Sequence, residues 1–209
     1  MSLCELHYIL GYGSLFNHES RKQSSNLDVP SHHVRLRGWQ RIWHAQSEVE
    51  QQTYLGVEPN PKGTLNAALL PVPAITSELI KREQDYEFVS IQKDEIDLIA
   101  EIDAAENDTS PRVELESRPI WLCLPKFVGE PNQQLPVYQS YVDTCLAGAL
   151  ELGGQTALEE FISTTRGWHH NWQDDRHAPN YPRAATIDQS QQQVIDDALH
   201  RLGVLKYRD

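Results

Sequence analysis

The 209-residue sequence is poor in cysteine and in positive charge, and it lacks long apolar runs. Each shortage removes a class of protein. Three cysteines, Cys4, Cys123 and Cys145, are too few and too scattered for a disulfide framework, and no pair has metal-ligand spacing. They point to a reduced compartment, the cytoplasm. Lys and Arg number 18 against 30 Asp and Glu, a formal charge of −12, which argues against nucleic acid as a partner because phosphates need a basic face. No apolar run reaches bilayer length, and the first residues, Met-Ser-Leu-Cys-Glu-Leu-His, lack the basic start and apolar core of a signal peptide, so no membrane partner is expected. The rest is ordinary globular composition, 39% hydrophobic and 23% charged.

Much of the acidity is local. Between Asp94 and Glu116 lie nine acidic residues and one base, Arg112. A docking surface or a divalent-ion site is the functional reading, and a solvated helix face followed by an exposed loop is the plain one, which we favour. The spacing lacks the glycine and alternation of a calcium loop.

Strands dominate the first part of the chain and helices the last. After an opening apolar run, Val34–His44 reads as a strand interrupted by Gly38, a bulge or bend. Two strands, 53–57 and 64–70, flank a turn cluster at Pro59-Asn-Pro-Lys-Gly63. A helix over 75–86 leads into a strand at 86–91, residues 94–104 read as a short acidic helix, and 120–124 is a further strand. From Val137 to Leu152 the spacing is helical, closing at Gly153-Gly154, with Tyr138 and Tyr141 on the inward face. A short helix over 155–163, a loop over 165–185 and an amphipathic helix over 191–202 complete the chain. His32-His33 are read in a turn, and Trp39 and Trp43 as packing residues. The expected class is α+β: a small mixed β-sheet or barrel wrapped by helices, with a helical C-terminal extension.

Two stretches carry chemistry. Residues 8–15, Tyr-Ile-Leu-Gly-Tyr-Gly-Ser-Leu, end a strand in a glycine-flanked bend whose N–H groups suit a carboxylate or an oxyanion. Phe16 stands where a third glycine would complete a nucleotide loop. Downstream, Ile75, Leu79 and Ile80 define an apolar helix face, and Glu83 falls near its centre with Arg82 on its flank. A carboxylate facing an interior has its pKa raised toward the useful range of a general base or acid. The competing reading ends the helix near residue 82 and leaves Glu83 in solvent.

Tyr12-Gly13-Ser14-Leu15 after the first strand resembles the Tyr-Gly-Ser signature of γ-glutamylcyclotransferase-like proteins, a family that includes ChaC-type enzymes. Arg82-Glu83 followed by Tyr86 is similar to the segment with that family's catalytic glutamate. Leu36-Arg-Gly-Trp-Gln-Arg41 resembles its second strand, and Gln134–Tyr141 through Gly153 its long helix, whose early tyrosine faces the substrate. The resemblance covers roughly residues 6–155. It implies a γ-glutamylcyclotransferase-like domain over 1–155 with a C-terminal extension over 156–209 packed on it. Gln84-Asp85 stand where ChaC-type enzymes usually have glycines, and Trp121 where a tyrosine is usual.

The resemblance implies an enzyme that closes a γ-glutamyl peptide or amine to 5-oxoproline, with release of the amine. Glu83 would be the catalytic proton shuttle. Tyr12, Gly13, Ser14, Leu15 and Tyr141 would bind substrate, although Ser14 as a turn cap and Tyr141 as a core residue are equally good readings. No metal or organic cofactor is implied, and the partner is a small γ-glutamyl molecule, glutathione among the candidates. Oligomeric state is left open. The segment 167–183, outside the family's core, is a candidate to lie over the pocket, with Arg176 and Arg183 as ion-pair partners or anion contacts. Two other readings remain: a binding module of the same fold without turnover, and a metal-dependent hydrolase using His169, His170, Asp174, Asp175 and His177.

Overall fold

The computed structural model describes residues 6–73, 75–99 and 118–209. Its centre is β1 (His7–Gly11), whose continuous apolar run Tyr8–Leu10 is buried on both faces. That burial follows from position: β1 lies between β3 (Gln52–Val72), antiparallel to it, and β6 (Ile120–Pro125), parallel to it. β2 (His32–Ser47) pairs with β3 in a long hairpin, β4 (Tyr86–Ser90) joins the free side of β6, and β5 (Ile96–Leu98) pairs with Val34–Leu36 of β2. The order is β4-β6-β1-β3-β2-β5, with the two-residue β8 (Thr165–Arg166) also on β2. The sheet is mixed and open, so the α+β expectation stands and the barrel does not.

Three expectations about strands and turns are corrected. Pro59–Gly63 is not a turn between strands: β3 runs through it, and Arg37 pairs with Thr64 and Trp39 with Pro59, so the extra residues bulge opposite Gly38. His32 and His33 open β2 rather than a turn. The acidic helix over 94–104 is instead a 3-10 turn at Lys93–Glu95 followed by β5, with residues 100–104 outside the described residues. There Glu95 accepts from the Gln92 amide at 2.8 Å. Pairing with β2 favours the extended state for Ile96–Leu98 over helical spacing.

The helix over Gln139–Thr164 packs on β2 and β3, and those over His18–Ser25 and Gln189–Arg201 pack on it. α1 (His18–Ser25) carries no apolar stripe that would mark it in sequence; Asn17 caps it by accepting from the Ser20 amide at 2.9 Å. α2 (Ser77–Arg82) is a short helix capped by Thr76. α3 (Gln139–Thr164) is preceded by β7 (Val137–Tyr138), paired with β9 (Trp172–Gln173), and is interrupted at Gly153 and Gly154 by non-helical backbone, as the sequence predicts. Tyr138 therefore belongs to a strand and is only half-buried, whereas Tyr141 is buried. Gly148 lets α3 touch the loop after β1, since a Cβ there would lie 2.3 Å from the Asn17 amide nitrogen.

The polar side of α3 is buried as well, under the C-terminal segment. Asp175 accepts from the Ser140 amide (2.7 Å), the Ser140 hydroxyl (2.6 Å) and the Asn180 amide (2.7 Å). Arg176 pairs with Asp143 of α3 at 2.7 Å and with Asp196 of α4 (Gln189–Arg201) at 2.8 Å. Burial pushes the Asp143 carboxyl up, against the pull of Arg176. Phe161 and Ile162 share the core with Ile195, Ala198 and Leu199. Among the described residues no helix is long and apolar enough to cross a membrane.

Candidate active site

Tyr12, Gly13, Ser14, Leu15, Glu83 and Tyr141 all line one cleft of about 640 Å³, counting its open mouth. The cleft lies where β1 ends, between α2, the β2–β3 hairpin and α3.

The bend at its floor is built by sterics. Gly13 precedes a 3-10 turn, Ser14–Phe16, in which the Phe16 amide donates to the Gly13 carbonyl at 2.9 Å. The amides of Ser14 and Leu15 open that turn and have no acceptor within it. A Cβ at Gly13 would sit 2.9 Å from the Tyr141 hydroxyl and 3.5 Å from Leu55 Cδ1, so glycine lets α3 bring Tyr141 onto the bend. The Tyr12 hydroxyl donates to the Cys123 carbonyl at 2.6 Å, locking the bend to β6. Burial drives the Tyr12 and Tyr141 phenols to resist ionisation.

Glu83 reaches the cleft by a route that differs from the one its spacing predicts. Leu79 is buried but Ile80 is 53% exposed, so the face defined by Ile75, Leu79 and Ile80 is not the inward one. The helix ends at Arg82, as the competing reading has it, yet Glu83 does not enter solvent: its side chain is 12% exposed. As the C-cap it turns back, its amide donating to the Leu79 carbonyl and its carbonyl accepting from the Tyr86 amide, both at 2.9 Å. Burial raises the Glu83 pKa, opposed by Arg82 and Arg183. Cys123 lies near it, its thiol pushed well up by burial and then by the Glu83 charge.

Arg82, assigned to the flank by spacing, is the organiser. Its side chain is 2% exposed and its Nε lies 3.3 Å from Glu83 Oε1. The Nη atoms donate to Ser14 Oγ at 2.9 Å, the Ser20 carbonyl at 3.1 Å, Ser25 Oγ at 3.2 Å and Ser24 Oγ. One guanidinium thus ties the bend, α1 and the carboxylate together. Because Ser14 Oγ accepts from Arg82, its own hydrogen remains for another partner.

The rest of the lining includes Glu50 and Tyr54, which spacing does not mark, and Arg183, expected as an ion-pair partner or anion contact. Glu50, from the β2–β3 turn, pairs with Arg183 at 3.0 Å and accepts from the Tyr54 hydroxyl. Arg183 Nε donates to the Tyr181 hydroxyl at 3.3 Å. Rings of Tyr54, Tyr141 and Tyr181 meet edge-on, with centroids 4.8 to 5.9 Å apart. The 167–183 segment therefore supplies cleft lining, through Tyr181 and Arg183. Arg176 does not line it, being held by Asp143 and Asp196. The cluster suggested for metal does not converge: Asp175 is spent on Ser140 and Asn180, His169 and His170 lie ring to ring at 4.1 Å, and among the described residues no three His, Cys, Asp or Glu side chains form a ligand set.

Neither a protein-family model nor a curated protein sequence matches the chain. Among the solved structures similar to it in fold are two that align over nearly the whole chain. One is a gamma-glutamyl cyclotransferase, 11% identical, aligned over 92% of this chain and 99% of its own, with a TM-score of 0.55. The other is an uncharacterized human protein, 12% identical with the same coverage and TM-score. The protein thus has the γ-glutamyl cyclotransferase-like fold.

Proposed function

We propose that the protein is a γ-glutamyl cyclotransferase-type enzyme. The observation that carries this is a buried carboxylate with a raised pKa, Glu83, joined through Arg82 to the Ser14 hydroxyl of a backbone bend in the same cleft. The reaction requires little more. The substrate's α-amine attacks its own γ-carbonyl carbon, a C–N bond forms, and the C–N bond to the leaving amine breaks. Because the nucleophile is intramolecular, holding it in place supplies much of the rate. Glu83, ionised, takes one proton from the α-ammonium before attack and a second from the ring nitrogen once the C–N bond has formed, and passes each in turn to the departing nitrogen, which leaves as the ammonium ion. The amides of Ser14 and Leu15 and the Ser14 hydroxyl receive the α-carboxylate or the developing oxyanion, and Tyr141 shapes the floor on which the glutamyl chain folds back.

The test is release of 5-oxoproline from a panel of γ-glutamyl peptides and amines by wild type and Glu83→Gln. A fall of roughly 100-fold or more is expected, the usual contribution of a positioned acid–base group. Equal release by both proteins rules out Glu83 as the shuttle. No release by wild type across the panel, with retained binding, identifies a binding module instead.

A further inference from the structure

The same cleft holds a second charged device that the cyclisation chemistry does not use as acid or base. Arg183 makes two contacts to the Glu50 carboxylate, at 3.0 and 3.4 Å, and one to the Tyr181 hydroxyl at 3.3 Å. Its guanidinium also lies over the Tyr181 ring, 5.1 Å from the centroid. Glu50 is itself held by the Tyr54 hydroxyl. A guanidinium has five N–H groups, so three are engaged and two remain. Side-chain exposures of 22% for Arg183 and 23% for Glu50 leave the pair open to the cleft that both residues line. A pinned, partly desolvated arginine with free N–H groups is suited to a carboxylate, since little order is lost on binding.

Which carboxylate it meets follows from the rest of the cleft, and here the inference rests on the proposed function. A γ-glutamyl substrate brings its α-ammonium to Glu83 and its α-carboxylate to the bend at 12–15. The polar wall still unfilled is Glu50–Arg183, which is left for what lies beyond the γ-carbonyl. We propose that Arg183, pinned by Glu50 and Tyr181, binds the carboxylate of the leaving group, so that the substrates are γ-glutamyl amino acids and peptides rather than γ-glutamyl amines. Arg183 is a specificity residue: it lowers the Glu83 pKa by its charge but neither takes nor gives the transferred proton.

The probes are γ-glutamyl-alanine and γ-glutamyl-ethylamide, which differ only in the leaving group's carboxylate. Wild type is expected to favour the first by about tenfold or more in kcat/KM, the worth of a charge-assisted hydrogen bond. In Arg183→Gln that preference collapses, and Arg183→Lys recovers part of it. Calorimetric binding of both probes to Glu83→Gln, with and without Arg183→Gln, reads the same preference without turnover. No preference in wild type, or an equal loss for both probes in Arg183→Gln, overturns the assignment. If no 5-oxoproline forms but the binding preference depends on Arg183, the cyclisation reading fails and the carboxylate site stands. If neither probe binds, the carboxylate site is refuted.

Discussion

Arg82 and Glu83 are consecutive in the chain and partners in space, with Arg82 Nε 3.3 Å from Glu83 Oε1 and both side chains withdrawn from water. Adjacent residues in the middle of a helix diverge by about 100° and do not meet this way. They meet because α2 stops between them. Arg82 takes the last helical position and reaches toward α1, while Glu83 leaves the helical path and folds back beside it.

Arg82→Ala should therefore act on stability and on chemistry together. It removes one member of a buried pair and frees Ser14, Ser24 and Ser25, and such losses cost about 3 kcal/mol or more. Arg82→Lys keeps the charge but cannot bridge four serines, so its loss should be intermediate. Urea unfolding measures the stability, and the pH dependence of 5-oxoproline release measures the chemistry. Because Arg82 pulls the Glu83 pKa down, the acid limb of the profile should move to higher pH in Arg82→Ala.

A second expectation concerns Glu83 alone. Its folded pKa is raised above the ordinary 4.5, with burial the first cause. Between the unfolded value and the folded one the native state holds the extra proton, so stability falls as pH rises through that window. The stability of wild type relative to Glu83→Gln should consequently decline from pH 4 upward and level off above the folded pKa. Unfolding curves at a series of pH values test this, and a difference independent of pH would refute the raised pKa. The rate has the opposite sign: it should rise with pH through the same window, because the base form is the ionised one.

The sequence made one half of the cleft legible and the other only in part. Tyr12–Leu15 and Glu83 stand out because their signals are local: a glycine-flanked bend after an apolar run, and a carboxylate beside a short helix. Tyr141 emerged from helical spacing in α3. Glu50 could not be found this way, and Arg183, though expected as an ion-pair partner or anion contact, could not be matched to it. They are 133 residues apart and meet only because the β2–β3 turn and the chain after Tyr181 reach the same place. Local signals also misled. Turn-forming residues at Pro59–Gly63 suggested a break, but pairing with β2 on both sides carries β3 through them. Ile80 suggested the inward face of α2, yet the inward positions belong to Leu79 and the stem of Arg82.

Gly13→Ala tests the floor of the cleft. The added methyl would lie 2.9 Å from the Tyr141 hydroxyl, so α3 or the bend must shift, at a cost of about 1–3 kcal/mol. Tyr141→Phe removes the opposing oxygen. In a double-mutant cycle the two changes should couple, with Gly13→Ala milder in the Tyr141→Phe background. Additive thermal shifts would show that the two groups do not press on each other.

Asp175→Ala should separate the two walls. Its carboxylate accepts three hydrogen bonds, from the Ser140 amide, the Ser140 hydroxyl and the Asn180 amide, and is enclosed by α3 and the segment it fastens. Losing them leaves buried donors without acceptors, for an expected cost of about 2–4 kcal/mol. The effect should extend to the cleft, because the Tyr181 amide donates to the same Ser140 hydroxyl at 3.2 Å, and Arg183 follows two residues on. Loosening this anchor displaces Arg183 but leaves Glu83 and the 12–15 bend in place. Under conditions where the variant stays folded, KM for γ-glutamyl-alanine should rise severalfold while kcat changes little. A fall in kcat at unchanged KM would place the C-terminal segment in the chemical step instead of in substrate binding.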